Sequence, residues 1–155
     1  MSTLPTMRLR SFLAIAALAA VCVPAALAWP GRPASPAPKP ATASGPPPAW
    51  AETATRSYWL AYAGYCWRTS CADYLPPASR PDLPTIVATR GAVLRLHFGF
   101  RPSRVTVTTL SGKTATRSLP PGQVVSCRPT TAGVFTISLK GAPGTTGYAA
   151  KIRFR

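Results

Sequence analysis

The sequence predicts an all-β domain, and more narrowly a β-sandwich of about seven strands. Short segments with an apolar residue at every second position recur over about the last 100 residues, and clusters of glycine and proline separate them. No segment shows the period of an amphipathic helix. Each such strand has one apolar face to bury, so two sheets packed face to face are the expected arrangement.

We expect the folded domain to span residues 54–155. In each predicted strand the apolar side chains are expected to face the core and the polar side chains to face solvent. A loop rich in glycine and proline at 141–147 is expected to join the last two strands. The predicted strands are residues 56–62, 85–89, 92–98, 104–109, 113–119, 123–127, 133–140 and 148–155.

Residues 1–28 are predicted to be a secretory signal peptide. Arg8 and Arg10 provide the positive start, residues 11–28 carry no charge, and Ala26-Leu27-Ala28 fits the small-x-small cleavage pattern. The alternative is that the segment is kept as a membrane anchor, because 18 apolar residues approach the spanning length. Either way, the chain is expected to be secreted or to lie at the cell surface or envelope.

Residues 29–53 are predicted to be a disordered linker. Eight prolines lie between residues 30 and 50, and most of the other residues there are Ala, Ser, Thr and Gly. Such a composition has too little apolar surface for a core and favours extended polyproline II structure.

The composition is strongly basic, with 18 Lys and Arg against 3 Asp and Glu, a formal net charge of +15. A field this positive favours contact with anionic polymers or membrane surfaces. The alternative is a general compositional bias toward Arg, Ala and Pro. Strand alternation predicts that two strands each present a basic row outward, and the candidate ligand-binding residues in these rows are Arg95 and His97 on one strand and Lys151, Arg153 and Arg155 on the other.

Residue types that carry catalysis are scarce. The three acidic residues are Glu52, Asp73 and Asp82, whereas glycosidases usually need two carboxylates placed on either side of the bond. The chain has a single histidine, His97, whereas a zinc site needs three or four ligands. We therefore predict no catalytic residues, no metal and no cofactor. The remaining enzyme hypothesis is a cysteine nucleophile, Cys127, assisted by His97.

Six aromatic residues and two cysteines lie between residues 58 and 74. Aromatic rings in such a cluster can stack on a sugar or a cationic ligand, or they can form part of the core. Trp67, beside Cys66, fits the core, because a tryptophan against a disulfide is common in immunoglobulin-like sandwiches. Tyr65 and Tyr74 are the candidates for a binding surface.

An exported chain is expected to form disulfides. Cys66 and Cys71 are separated by four residues and can close a small loop. This pairing leaves Cys127 as an unpaired thiol. The alternative is a bridge from Cys127 to one of the other two across the sandwich.

The cysteine-containing segment resembles a group of uncharacterised secreted or lipoprotein domains of Gram-positive bacteria. Those domains carry a Gly-x-Tyr-Cys-Trp segment, then Cys and an acidic residue, then a proline-rich turn. The resemblance implies an immunoglobulin-like β-sandwich and an extracytoplasmic location, and it implies no activity. The matching residues here are Gly64, Tyr65, Cys66, Trp67, Cys71, Asp73, Pro76 and Pro77, with Gly64 directly before Tyr65.

These observations together predict a secreted or surface-displayed, non-catalytic domain that adheres to anionic material of the cell envelope, such as a teichoic-acid-like phosphate polymer, or to a membrane surface. A structural or protein-interaction module of the envelope is the alternative. No specific nucleic-acid partner is expected, because arginines alone give non-specific affinity and no recognised motif is present.

Overall fold

The computed structural model describes residues 45–111 and 113–155. The predicted signal peptide at 1–28 and most of the predicted linker lie outside the described residues. Within them the protein is all-β, with one short 3-10 helix at Pro77–Ser79 and no α-helix. The strands are β1 (Ala49–Glu52), β2 (Ser57–Trp59), β3 (Ala61–Trp67), β4 (Ser70–Asp73), β5 (Thr85–Ala88), β6 (Leu94–Phe98), β7 (Arg104–Ser111), β8 (Lys113–Leu119), β9 (Val124–Cys127), β10 (Gly133–Gly141) and β11 (Gly144–Phe154).

The strands form two sheets. Sheet A has the order β2-β1-β6-β9 and is antiparallel throughout. Sheet B has the order β4-β3-β11-β10-β7-β8, also antiparallel. β5 pairs in parallel with the second half of β11, beyond the point where β3 leaves that strand. This pair of sheets is compatible with the predicted β-sandwich.

One hydrophobic core takes side chains from both sheets, as the alternation of apolar residues predicts. In β6, Leu94, Leu96 and Phe98 are buried, and the residues between them are only partly buried. β10 follows the same pattern. The buried core residues of these and the neighbouring strands include Ala49, Ala51, Ile86, Val105, Val107, Val125, Phe135, Ile137, Leu139, Tyr148, Ala150 and Ile152.

The folded domain begins earlier than residue 54, so the predicted linker 29–53 is wrong at its C-terminal end. β1 lies inside sheet A between β2 and β6, and Ala49 and Ala51 are fully buried. Pro46 is also buried, and its carbonyl accepts a 2.7 Å hydrogen bond from the Tyr62 hydroxyl. Prolines add apolar surface and keep their carbonyl acceptors, so a proline run can pack against a domain although it cannot donate to a sheet.

The described residues contain eleven strands, whereas the alternation of apolar residues predicted eight segments. The additional strands are β1 and the β3–β4 hairpin, which lies in the aromatic cluster. The predicted loop at 141–147 is also shorter, because β10 and β11 pair up to Gly141 and Gly144. Gly144 has a φ of 145°, and a side chain there would collide with the carbonyl of Cys66 on β3. Only glycine fits at this close approach of two strands.

Candidate functional site

The two predicted basic rows do not share a face, because they belong to different sheets. Arg95 and His97 lie on β6 in sheet A, whereas Lys151 and Arg153 lie on β11 in sheet B. Arg155 follows the end of β11. The five side chains therefore do not form one basic surface.

Arg95 and His97 are held in an ion-pair cluster around a buried carboxylate. Glu52 lies on the outer face of sheet A, turned away from the core, and its side chain is only 8% exposed. His97 Nε2 lies 2.7 Å from one carboxylate oxygen, and Arg95 lies 3.7 Å from the other. Arg95 and His97 therefore both have a partner within the protein, and their position on the outer face does not require a ligand.

An aromatic row continues the cluster across sheet A. The His97 ring stacks on Trp50 with the ring centroids 4.8 Å apart, and Trp59 contacts Trp50 edge to face at 5.7 Å. The Trp50 ring is therefore packed between His97 and Trp59. In the adjacent row, the hydroxyl of Ser57 is buried and has no hydrogen-bond partner among the described residues.

Tyr65 and Tyr74 belong to a cluster of tyrosines on sheet B. Tyr62 lies within 6.3 Å of both rings and 5.3 Å from Tyr148, measured between centroids. Burial raises the pKa of Tyr62 and, more strongly, that of Tyr148. Tyr74 is 42% exposed, so it is the most open of the four.

Arg80 fixes the segment after β4 onto this cluster. Its guanidinium donates two hydrogen bonds to Asp82, at 3.0 and 2.6 Å, and a third to the carbonyl of Tyr62. It also lies over the Tyr74 ring, 5.6 Å from the centroid. The hydrogen bonds from Arg80 lower the pKa of Asp82.

Cys66 and Cys71 form a disulfide between β3 and β4, with their Cα atoms 4.1 Å apart. The bond lies on the outer face of sheet B. Trp67, the next residue, points to the opposite face and is 5% exposed. It packs edge to face on Phe100 rather than on the disulfide.

Cys127 has no disulfide partner among the described residues. It pairs with Leu94 in the β6–β9 register, so its side chain lies on the core side, whereas His97 faces outward. Burial raises the pKa of the Cys127 thiol to about 11, and the charge of Arg117 only partly opposes this rise. A protonated thiol on the face opposite the histidine is not placed as a nucleophile with its base.

A groove of about 410 Å³ crosses the outer face of sheet B. It lies over five strands, and its floor is open because two glycines face each other in the middle. The row through this floor is Asp73, Gly64, Gly147, Ser138 and Thr106. The next row is Cys71, Cys66, Thr145, Lys140 and Arg104.

The lining of the groove includes two cationic residues, Arg104 and Lys140. Arg104 and Lys140 are exposed and lie directly opposite each other in the β7–β10 register. Neither forms an ion pair with a described residue. Of the predicted ligand-binding residues, only Tyr65 borders this groove. Its side chain points to the other face of sheet B, because Tyr65 pairs with the buried Thr146. Strand alternation places Arg104 and Lys140 outward, but nothing in the sequence says that their strands are neighbours.

Within the described residues, no helix is long and apolar enough to cross a membrane. The same residues contain no group of three His, Cys, Asp or Glu side chains that could hold a metal ion. Comparisons with protein-family models, with curated proteins and with solved structures give no match.

Proposed function

We propose that the chain is an exported, non-catalytic, immunoglobulin-like domain that adheres to phosphate polymers of the cell envelope through the outer face of sheet B. The observation that carries the proposal is the pair Arg104 and Lys140. Like charges directly opposite each other on two strands destabilise a sheet. An anion bound between the two side chains removes that repulsion, and the guanidinium and ammonium groups both bind phosphate oxygens well.

The rest of this face extends the same chemistry. Lys151 and Arg153 also point outward from β11, roughly 20–27 Å along the strand from Thr145, at about 3.4 Å per residue. The acidic residue nearest to them is Asp82, which Arg80 already engages. A linear polyanion long enough to pass over the buried Ala149, which lies between the two sites on this face, can contact the groove and the far end of β11 at once. The first contact then holds the second one close, which raises avidity.

Three features support the extracytoplasmic location. The predicted signal peptide at 1–28 directs export. The Cys66–Cys71 disulfide is of a kind that persists in oxidising compartments. The resemblance to Gram-positive secreted domains, carried by the segment around Gly64–Trp67, points to the same location and to the immunoglobulin-like identity.

The test is retention of the purified domain on immobilised poly(glycerol phosphate) at increasing salt. We expect Arg104→Ser/Lys140→Ser to bind about tenfold more weakly than the wild type and to depend less steeply on salt. The matched control is Arg56→Ser/Arg117→Ser, which removes the same charge at exposed positions outside the groove.

Equal losses for the two double variants would mean that net charge alone drives binding. Retention that does not change with salt would remove the adhesion hypothesis and leave the structural or protein-interaction module as the better function.

A further inference from the structure

The groove on sheet B has an acidic wall as well as a cationic one. The chain has three acidic residues, and two of them are paired within the fold: Glu52 with Arg95 and His97, and Asp82 with Arg80. Asp73 forms no ion pair with a described residue, although the domain around it is strongly basic. It is exposed on β4 and lines the groove.

The two walls are separated by the glycine floor. Asp73 on β4 and Lys140 on β10 are three strand spacings apart, roughly 14 Å between strand axes, with Arg104 one strand further. The hydroxyls of Ser138 and Thr145 line the path between them. The carboxylate and the cations are thus both available to a ligand that lies across the strands.

Gly147 keeps this path open, although its backbone conformation does not require glycine. Its φ lies outside the left-handed region, and a Cβ added there would meet the Ala63 Cβ at 3.4 Å, an ordinary contact. Gly64, opposite it, has a φ of 145° and does need glycine. A Cβ at position 147 would therefore fit the fold, and it would narrow the floor of the groove.

We propose that this groove binds a polymer segment that carries an amine as well as a phosphate, with the ammonium on Asp73 and the phosphate on Lys140 and Arg104. This inference rests on the proposed adhesion to phosphate polymers and specifies which polymers are preferred. A phosphodiester chain with aminoacyl ester substituents carries both amines and phosphates along its length.

The test uses two probes, poly(glycerol phosphate) with and without alanyl esters, and measures the dissociation constant of the full chain for each. Simple charge attraction predicts weaker binding to the ester-bearing polymer, because each ammonium reduces the negative charge of the polymer. The proposal predicts the opposite order, with binding to the ester-bearing polymer at least threefold tighter.

Two variants separate the preference from the adhesion itself. Asp73→Asn, at an exposed position, should bind the unsubstituted polymer as tightly as the wild type or more tightly, and should lose the preference for the ester-bearing polymer. Gly147→Val should weaken binding to both polymers, with circular dichroism confirming the fold. If the wild type prefers the unsubstituted polymer, or if Asp73→Asn keeps the preference for the alanyl esters, the inference is wrong. Adhesion through the groove is a separate question, and it fails if Arg104→Ser/Lys140→Ser binds both probes as the wild type does.

Discussion

Glu52 on β1 and His97 on β6 are joined by a 2.7 Å hydrogen bond, although 45 positions separate them in the chain. The carboxylate is almost fully buried on the outer face of sheet A, and the guanidinium of Arg95 lies 3.7 Å from its other oxygen. A buried charge of this kind is tolerated only while its partners stay in place. The pair therefore ties β1 to β6 by a polar contact in addition to the sheet hydrogen bonds.

We expect Glu52→Gln to lower the free energy of unfolding by about 1–3 kcal/mol, because the amide keeps the shape but loses the charge-assisted hydrogen bond. Urea unfolding followed by tryptophan fluorescence measures this. The matched control is Asp73→Asn, the same chemical change at an exposed residue without an ion pair, which should stay within about 0.5 kcal/mol of the wild type. Equal effects for the two variants would contradict the stabilising role of the cluster.

The domain boundary can be tested by truncation. A chain that begins at residue 45 keeps β1 and should unfold cooperatively. A chain that begins at residue 54 loses Ala49 and Ala51 from the core and leaves β2 without its partner strand, so it should show no cooperative transition. Thermal unfolding followed by circular dichroism compares the two. Cooperative unfolding of the shorter chain would mean that β1 is dispensable.

Arg80 should control the titration of Asp82. Because the Arg80 hydrogen bonds lower the pKa of the Asp82 carboxyl, Arg80→Ala should raise it. In the wild type, the stabilisation from this pair is present above the ordinary aspartate pKa and is lost as the pH falls through the lowered value. NMR titration of the side-chain carboxyl measures the shift. Arg56→Ala, at an exposed site, is the control and should leave the Asp82 titration unchanged.

Cys127 should react slowly in the folded protein. Its pKa is about 11 in the fold, against about 8.5 for an ordinary thiol, so the folded state holds far less thiolate at pH 8.5. We expect alkylation by iodoacetamide to be at least tenfold slower than in the urea-unfolded chain, and to accelerate up to about pH 11. The same shift makes folding less favourable as the pH rises from about 8.5 to 11, since the unfolded chain loses the proton first. Equal alkylation rates in the two states would place the thiol in solvent.

Two glycines with positive φ should respond differently to alanine. Gly144→Ala places a side chain against the backbone of β3 and should cost about 3 kcal/mol or more. Gly91 also has a positive φ, 73°, but open space surrounds it, so Gly91→Ala should cost only about 1 kcal/mol. Chemical denaturation of both variants gives the comparison. A larger loss at Gly91 would show that conformation rather than contact dominates.

The sequence predicts which way side chains point better than which strands are neighbours. Alternation places Leu94 and Leu96 in the core and Lys140 on the solvent side, because the strand period of two is local. The pairing of β7 with β10, which brings Arg104 beside Lys140, depends on contacts between distant segments. The sequence therefore predicts neither the groove nor the pairing of Glu52 with His97, because both depend on which distant strands are neighbours.

β1 was missed for a different reason. Its four residues, Ala49–Glu52, follow three consecutive prolines, and composition there is typical of a linker. What makes it a strand is the gap between β2 and β6, which is a property of the whole sheet. Local composition therefore misplaces a boundary where a short segment completes a sheet formed by others.

The central position of β11 has a consequence for how the protein is made. β11 follows all the other described strands in the chain, yet it pairs with β3, β5 and β10. During synthesis, β3 and β5 cannot complete their pairing until β11 has been made. β11 begins about 80 residues after the start of β3 and about 60 residues after the start of β5. Contacts between segments that are far apart in the chain slow folding. A nascent chain that ends before Gly144 therefore lacks the strand on which β3, β5 and β10 pair, and it cannot complete sheet B.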